Sequence, residues 1–291
     1  MTPTTFSNDP LVSIGVPVYN EERFLDASLT SLRQQDYLNL EILISDNAST
    51  DRTLEICERH ATKDARIRIV RSAENRGATA NFQRALELAQ GSYFMWAAGH
   101  DLWTQNLVSE CVALLQANDN ACIAFGSSRW IGAEGELLPR ESGWSDTRGM
   151  APVARFFTIF WGNMHSVVGL IRTTRLRECL PTPDIAGGDL VLLENLALRG
   201  DFVHATQAVW SRREFRVEAR YEDKLQRYAS AAAGVAQTPL QKMFPLLRLP
   251  IALVRVILRS RLSGMDKLGV LLVLLISFPL RYLVGRRGQA K

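Results

Sequence analysis

The chain has 291 residues, 47% of them hydrophobic and 22% charged, with a formal net charge of +4. This composition excludes a largely disordered chain and leaves room for one large core or two modest ones. The four cysteines, Cys57, Cys111, Cys122 and Cys179, lie far apart with no CxxC pair, and no secretory leader precedes the first apolar run, so they read as reduced, buried thiols of a cytoplasmic protein.

The charge is unevenly divided. From Lys242 to Lys291 ten Lys/Arg stand against one acid, Asp266, and the first 241 residues are net acidic. The basic residues are interleaved with aliphatic runs, PLLRLPIALVRVILRSRL and LGVLLVLLISFPLRYLVGRR. That pattern suits an anionic bilayer surface better than a nucleic-acid duplex, so no nucleic-acid partner is expected.

In chain order, the pattern predicts a buried strand over Leu11 to Val18 and a helix over Glu21 to Gln35 through Phe24, Leu25, Leu29 and Leu32. A second strand, Leu40 to Ser45, meets a cluster of turn and cap residues before a helix from Arg52 to His60. Ile67 to Val70 reads as a third strand, Ala78 to Ala89 as a helix after the break at Asn75-Arg76-Gly77, and Ser92 to Trp96 as a fourth strand. This alternation implies parallel strands joined by right-handed crossovers. Ligands of such sheets gather where the strands end, and three apolar runs here end in polar, acidic loops: Pro17-Val18-Tyr19-Asn20-Glu21, Ser45-Asp46-Asn47 and Gly99-His100-Asp101.

The residue types in these loops allow two readings each. Ser49, Thr50 and Asp51 suit helix capping, whereas Asp46, nearer its strand end, suits acceptance of hydrogen bonds from a nucleobase edge. Tyr19 either lies along a planar base or packs on the rim. Asp101 either caps a helix beginning near Thr104 or holds a divalent cation against a diphosphate, neutralising charge on a leaving phosphate.

The string VSIGVPVYNEERFLDASLTSLRQQDYLNLEILISDNASTDRT, followed by NRGATANFQRAL and YFMWAAGHDLW, resembles the family 2 glycosyltransferases of GT-A fold, strongly over residues 11 to 130 and more loosely to about residue 230. The resemblance implies an α/β fold with a Rossmann-like mixed sheet flanked by helices. It divides the chain into a domain over 1–237, with a nucleotide-binding half about 11–103 and an acceptor half about 104–237, and a basic apolar helical tail over 238–291. It further implies that Pro17, Tyr19, Glu21 and Asp46 bind the nucleotide, that Asn75, Gly77 and Asn81 line the nucleoside, and that Asp101 is the last acid of a metal-binding DxD-type motif for Mg2+ or Mn2+. Ala98 and His100 stand where further acids are common; His100, placed among the nucleotide-sugar-binding residues, either completes the metal shell or leaves coordination to Asp101 and the diphosphate alone.

In the second half, Gly187-Gly188-Asp189-Leu190 resembles the family's late acidic motif, which makes Asp189 the candidate general base of an inverting transfer. Without the resemblance Asp189 is equally an N-cap; Glu194 is then the substitute base. Trp161, Asn163 and His165 are candidates for an acceptor platform, and Arg213, Arg216 and Arg220 either reach a phosphate or form a solvated face. The function implied is transfer from a nucleotide-sugar, a UDP-sugar, to a hydroxyl of a saccharide or lipid-linked acceptor in bacterial cell-surface polysaccharide synthesis. A catalytically silent nucleotide-binding scaffold and a nucleotidyltransferase are the alternatives; the latter lacks its Gly-rich basic loop after the first strand.

The tail sets the location. Leu268 to Leu280 is too short to span a bilayer, which takes about twenty apolar residues. With the amphipathic stretch Phe244 to Leu262 it is expected to lie in or on the inner face of the cell membrane. The alternative is a helical hairpin packed on the domain or on a second subunit, the latter making a homo-oligomer.

Overall fold

β1 (Val12–Val18) is buried along its whole length, which explains why its sequence is continuously apolar rather than alternating: both faces are covered. In the computed structural model, which describes residues 9–140, 146–162, 164–215 and 248–287, β1 lies between β2 (Leu40–Asp46) and β4 (Tyr93–Trp96), parallel to both. β3 (Ile67–Arg71) pairs in parallel on the far side of β2. A Cβ on Gly15 would lie 2.7 Å from the Phe94 ring and 3.0 Å from Ala85, so glycine there lets a helix and a strand close on the centre of the sheet.

Beyond β4 the sheet turns antiparallel. Its eight strands run β3-β2-β1-β4-β7-β6-β8-β5, with β5 (Leu102–Trp103), β6 (Ala121–Ile131), β7 (Leu170–Arg172) and β8 (Asp201–Arg213). β7 opposes both β4 and β6, and β8 runs parallel to β6. β6 and β8 therefore point the same way as β1, and their carboxyl ends reach the same edge. The expected mixed α/β sheet is the one observed.

Helices α1 (Leu25–Arg33), α2 (Thr53–Ala61) and α4 (Leu107–Ala117) bury Leu29, Cys57 and Val108 on one face of the sheet. α3 (Ala78–Glu87), α6 (Thr173–Glu178) and α7 (Gly188–Ala197) cover the other with Leu86, Leu176 and Leu193. α1 starts later than the predicted Glu21 because the backbone amides of Glu21 and Glu22 are bonded to Thr53 Oγ1 and Asp51 Oδ2 (2.8 and 3.1 Å). All four cysteines are free and buried, and burial pushes the Cys57, Cys111 and Cys179 thiols up to about 12 and Cys122 to about 11.

A further layer lies outside α7. α5 (Pro152–Trp161), α8 (Arg248–Arg259) and α9 (Gly264–Arg287) form a third apolar cluster with it through Phe156, Leu190, Val191, Leu253, Val270 and Leu274. α7 is apolar on all sides because it is sandwiched between sheet and tail. The tail thus packs on its own domain along one stripe, the hairpin alternative of the sequence reading. Its remaining surface is apolar and exposed, including Leu268, Leu272, Leu275 and Ile276. Among the described residues no helix is long and apolar enough to cross a membrane. The boundary near residue 237 lies outside the described residues.

One polar pair is buried in this outer layer. Glu194 of α7 is fully buried, neither carboxylate oxygen has a hydrogen-bond partner, and the charge acting on it is that of Arg281 in α9. Burial raises the Glu194 pKa well above the ordinary carboxylate value and lowers that of Arg281. A carboxyl whose folded pKa is raised stabilises the fold below its unfolded pKa, near 4.5, and loses that contribution as pH rises through the folded value. Glu194→Gln is therefore expected to gain stability relative to the parent as pH rises from about 5 to about 9, measured as the difference in urea midpoint; a difference independent of pH would contradict the assignment.

Candidate active site

The parallel register aligns Val18 with Asp46 and Asp46 with Arg71, so the loops after β1, β2 and β3 open onto one edge. There the Asn47 N–H donates to Val18 O at 3.0 Å. The Asn20 N–H donates to Ser49 Oγ (3.0 Å), and the Thr50 N–H to Asn20 Oδ1 (2.9 Å). Asn20 and Ala48 both take left-handed backbone angles, φ 53° and 60°. Pro17 is buried in β1 opposite Ser45, and Tyr19 stands at the rim, 44% exposed.

Asp46 is fully buried. Oδ1 accepts from the Ser49 N–H at 3.1 Å, whereas Oδ2 has no hydrogen bond and faces Arg71 Nε at 3.3 Å. Asn47 organises the third loop, with its side chain bonded to Asn75 Oδ1 (2.7 Å), Gly77 O (3.1 Å) and the Arg76 N–H (3.0 Å). Gly77, at φ 85°, uses the backbone freedom of glycine to start α3. Asn81 lies beneath the crevice: it accepts from Ser45 Oγ at 2.6 Å and donates to Val18 O at 3.2 Å. Both bonds tie it to the strand ends. Asp51, a candidate cap, accepts from the Thr53 N–H at 2.9 Å.

The third wall is built differently from the sequence expectation. Asp101 is 2% exposed; Oδ2 accepts from Trp210 Nε1 and Oδ1 from the Arg213 N–H, each at 2.9 Å. Burial raises its pKa, against the lowering effects of His100 and of the Arg213 and Trp210 hydrogen bonds. It caps no helix: α4 begins at Leu107 with Asn106 at the cap position. His100 lies between two carboxylates, with Nδ1 at 3.1 Å from Glu21 Oε1 and Nε2 at 3.9 Å from Asp101 Oδ1, and is edge-on to Phe215 at 5.1 Å.

These residues do not fit a protein-held divalent cation. Both Asp101 oxygens face N–H donors, Glu21 is matched with His100, and among the described residues no three His, Cys, Asp or Glu converge on a cation-sized site. Arg213 is likewise structural: its guanidinium donates to the carbonyls of His100, Gly132 and Ala133. Arg216 and Arg220, Asn163 and the His165 side chain lie outside the described residues, and Trp161 is 44% exposed against Phe160.

Asp189 sits in the first turn of α7. The cap position is Gly187, in the left-handed region at φ 86°, and no side chain caps the helix, so the carboxylate is not used as an N-cap. It keeps solvent access while the surrounding protein raises its pKa, with the charge of Arg212 pulling the other way; this combination describes a group in a recess. Arg212 acts on Asp101 as well and lies over the Trp130 ring at 4.4 Å and the Trp210 ring at 6.0 Å. Arg212, Trp130 and Trp210 carry no motif; the one signal is the spacing Trp210-Ser211-Arg212, which puts Trp and Arg on one strand face. Glu194 is buried against Arg281 and cannot serve as the substitute base.

The Asp101 geometry makes a stability prediction. Asp101→Asn replaces an acceptor of two buried N–H groups and is expected to destabilise by about 1–3 kcal/mol, read from equilibrium denaturation. The apparent affinity for Mn2+ should be unchanged; a selective loss of Mn2+ binding without destabilisation would restore Asp101 as a ligand.

A family model described as Glycosyl transferase family 2 matches residues 13–168, more than half of the chain. An uncharacterized glycosyltransferase of Haemophilus influenzae is 37% identical over 131 residues, 45% of this chain and 52% of that protein. The chain thus spans about half the length of that relative. Among solved structures, S. aureus TarS 1–349 in complex with UDP-GlcNAc aligns with a TM-score of 0.65 at 17% identity, covering 90% of this chain and 70% of that one. The mannosyltransferase PcManGT from Pyrobaculum calidifontis, in complex with GDP-Man and Mn2+, aligns with a TM-score of 0.56 at 19% identity, covering 94% and 81%. At these identities the two structures establish likeness of fold, the GT-A arrangement of a mixed sheet between helices.

Proposed function

Because the chain belongs to glycosyl transferase family 2, we propose that it is an inverting glycosyltransferase that moves a sugar from a nucleotide-sugar to a saccharide or lipid-linked hydroxyl. One observation carries the reading: the charge of Arg212, which lies over the Trp130 ring, is felt at both Asp189 and Asp101, so a cation stands in the neighbourhood of the candidate base and of the loop that follows β4. In the reaction Asp189 takes the proton of the acceptor hydroxyl as its oxygen attacks the anomeric carbon. The bond from that carbon to the diphosphate oxygen breaks, its electron pair leaves on the diphosphate, and Arg212 offsets the charge that develops there.

The donor base is read by Asp46. Asp46 lies under the crevice, ion-paired through Oδ2 to the half-exposed Arg71, so a base edge that displaces Arg71 would meet its carboxylate, and the donor proposed is a UDP-sugar. The setting proposed is the inner face of a cell membrane, in cell-surface polysaccharide synthesis. Its support is the exposed apolar surface of α8 and α9 with the basic residues between. An active base distinguishes this reading from a silent scaffold.

Two substitutions test the roles. Asp189→Asn should abolish transfer while leaving the Kd for the UDP-sugar within about twofold, as expected when only a group used in the transition state is lost; full turnover would sink the base assignment. Arg212→Gln should lower kcat by about 10²–10³. Because Arg212 lowers the Asp189 pKa, its removal should also shift the acidic limb of the pH–rate profile to higher pH, and an unmoved limb would separate the two residues.

A further inference from the structure

A groove of about 330 Å³ runs between α7, the Cys179–Pro183 segment and α8, away from the crevice. Its walls include Leu180, Val191, Leu192 and Val256, and its cations are Arg199, Arg255 and Arg259. The acid lining it, Glu178, is already shared between Arg175 and Arg199 at 3.5 Å each. Arg255 and Arg259 are one turn apart on α8, solvent-exposed, and make no ion pair or hydrogen bond among the described residues. An apolar trough with two uncommitted guanidinium groups matches a molecule with an anionic head and a hydrocarbon tail.

The position of the charges says which such molecule. Arg199 lies ten residues beyond Asp189, at the far end of the same helix, about 15 Å along its axis. A phosphate held there lies at the opposite end of α7 from the candidate base. Next to the groove, Ile251 and Leu258 of α8 and the apolar face of α9 are exposed, the surface through which a bilayer would be met. α8 is itself fixed to the start of α7, since a Cβ on Gly187 would lie 2.8 Å from Leu249.

We propose that this groove is a discrete site for one anionic bilayer phospholipid, whose phosphate is held by Arg255 and Arg259 with Arg199 and whose acyl chain lies along Val191, Leu192 and Val256. The proposal rests on the membrane-facing reading of the tail and adds to it a defined, single-lipid contact. Because α7 and α8 are already packed together, binding of that lipid sets the orientation of the helix that carries Asp189 relative to the membrane plane.

The test is co-sedimentation of the full chain with phosphatidylcholine vesicles with and without phosphatidylglycerol. Arg255→Gln/Arg259→Gln is expected to weaken binding to the anionic vesicles at least about tenfold. Arg261→Gln/Lys267→Gln removes the same charge from the tail outside the groove lining, and is expected to weaken it less than about threefold. Ala252→Trp fills the trough without altering charge and should match the first pair, provided all variants unfold within about 2 °C of the parent. Equal losses for the two charge pairs, or full binding by Ala252→Trp, would overturn the groove and leave the membrane reading standing. Failure of the parent to bind anionic vesicles would overturn both. Displacement of the protein by millimolar inorganic phosphate at constant ionic strength would assign the cations to the free anion and also overturn the proposal.

Discussion

One buried carboxylate holds the two halves of the sheet in working relation. β4 and β8 are not neighbours, being separated by β7 and β6; the chain leaving β4 reaches β8 through β5, paired with Ser211 and Trp210, and through Asp101, the residue before β5, which accepts N–H bonds from Trp210 and Arg213. A carboxylate this buried is costly unless its oxygens are satisfied, and here both are, so the curl of the sheet and the burial of Asp101 stabilise each other. Because alternate residues of a strand face opposite ways, anchoring Trp210 by its indole and Arg213 by its amide fixes Arg212 between them. The residue that resembles a metal ligand in sequence thereby acts as the strap that presents a guanidinium.

α7 is the second point of convergence. Its inner face packs on the sheet, its outer face on α5, α8 and α9, and its first turn carries Asp189. A helix start offers free backbone amides and favours negative charge, while Gly187 takes the cap role through its left-handed backbone. The side chain of Asp189 is thus released from capping and available to solvent. The same helix buries Glu194 against Arg281, an interaction that ties α9 to it and explains an arginine inside the apolar run of the tail. Removing the tail would expose Phe156, Leu190 and Val191 as well as leave Glu194 without its counter-charge.

How much of this was legible in the sequence varies with the range of the interaction. β1, β2 and the loops at Tyr19–Glu21 and Asp46–Asn47 were readable because local periodicity and turn chemistry decide them. The role of Asp101 was not, since its partners lie more than a hundred residues away and an Asp after a strand reads equally as cap, ligand or clamp. The position of Asn81 at the start of α3 is readable, but its bonds to Ser45 and Val18 beneath the crevice are set by tertiary packing. Nothing in the sequence separates Arg212 from Arg213, because alternation marks a face without saying which face looks at the site. The docking of the tail did leave a trace: Leu190 to Leu198 is apolar at nearly every position, which a helix covered on one side only would not require.

The proposed chemistry asks two opposed things of Asp189, and Arg212 reconciles them. A base must be ionised when the acceptor arrives, which the surrounding protein resists and Arg212 promotes; it must also bind the proton firmly during attack, which the surrounding protein promotes and Arg212 resists, while its exposed side chain stays open to the acceptor. A donor diphosphate bound beside Arg212 would draw part of its field away from Asp189. Ionisation is then favoured in the free enzyme and basicity rises once the donor is in place, so one guanidinium held by the Asp101 clamp links leaving-group stabilisation to proton removal. The coupling needs no protein-held cation, in keeping with a third wall whose carboxylate faces N–H donors and whose histidine faces Glu21.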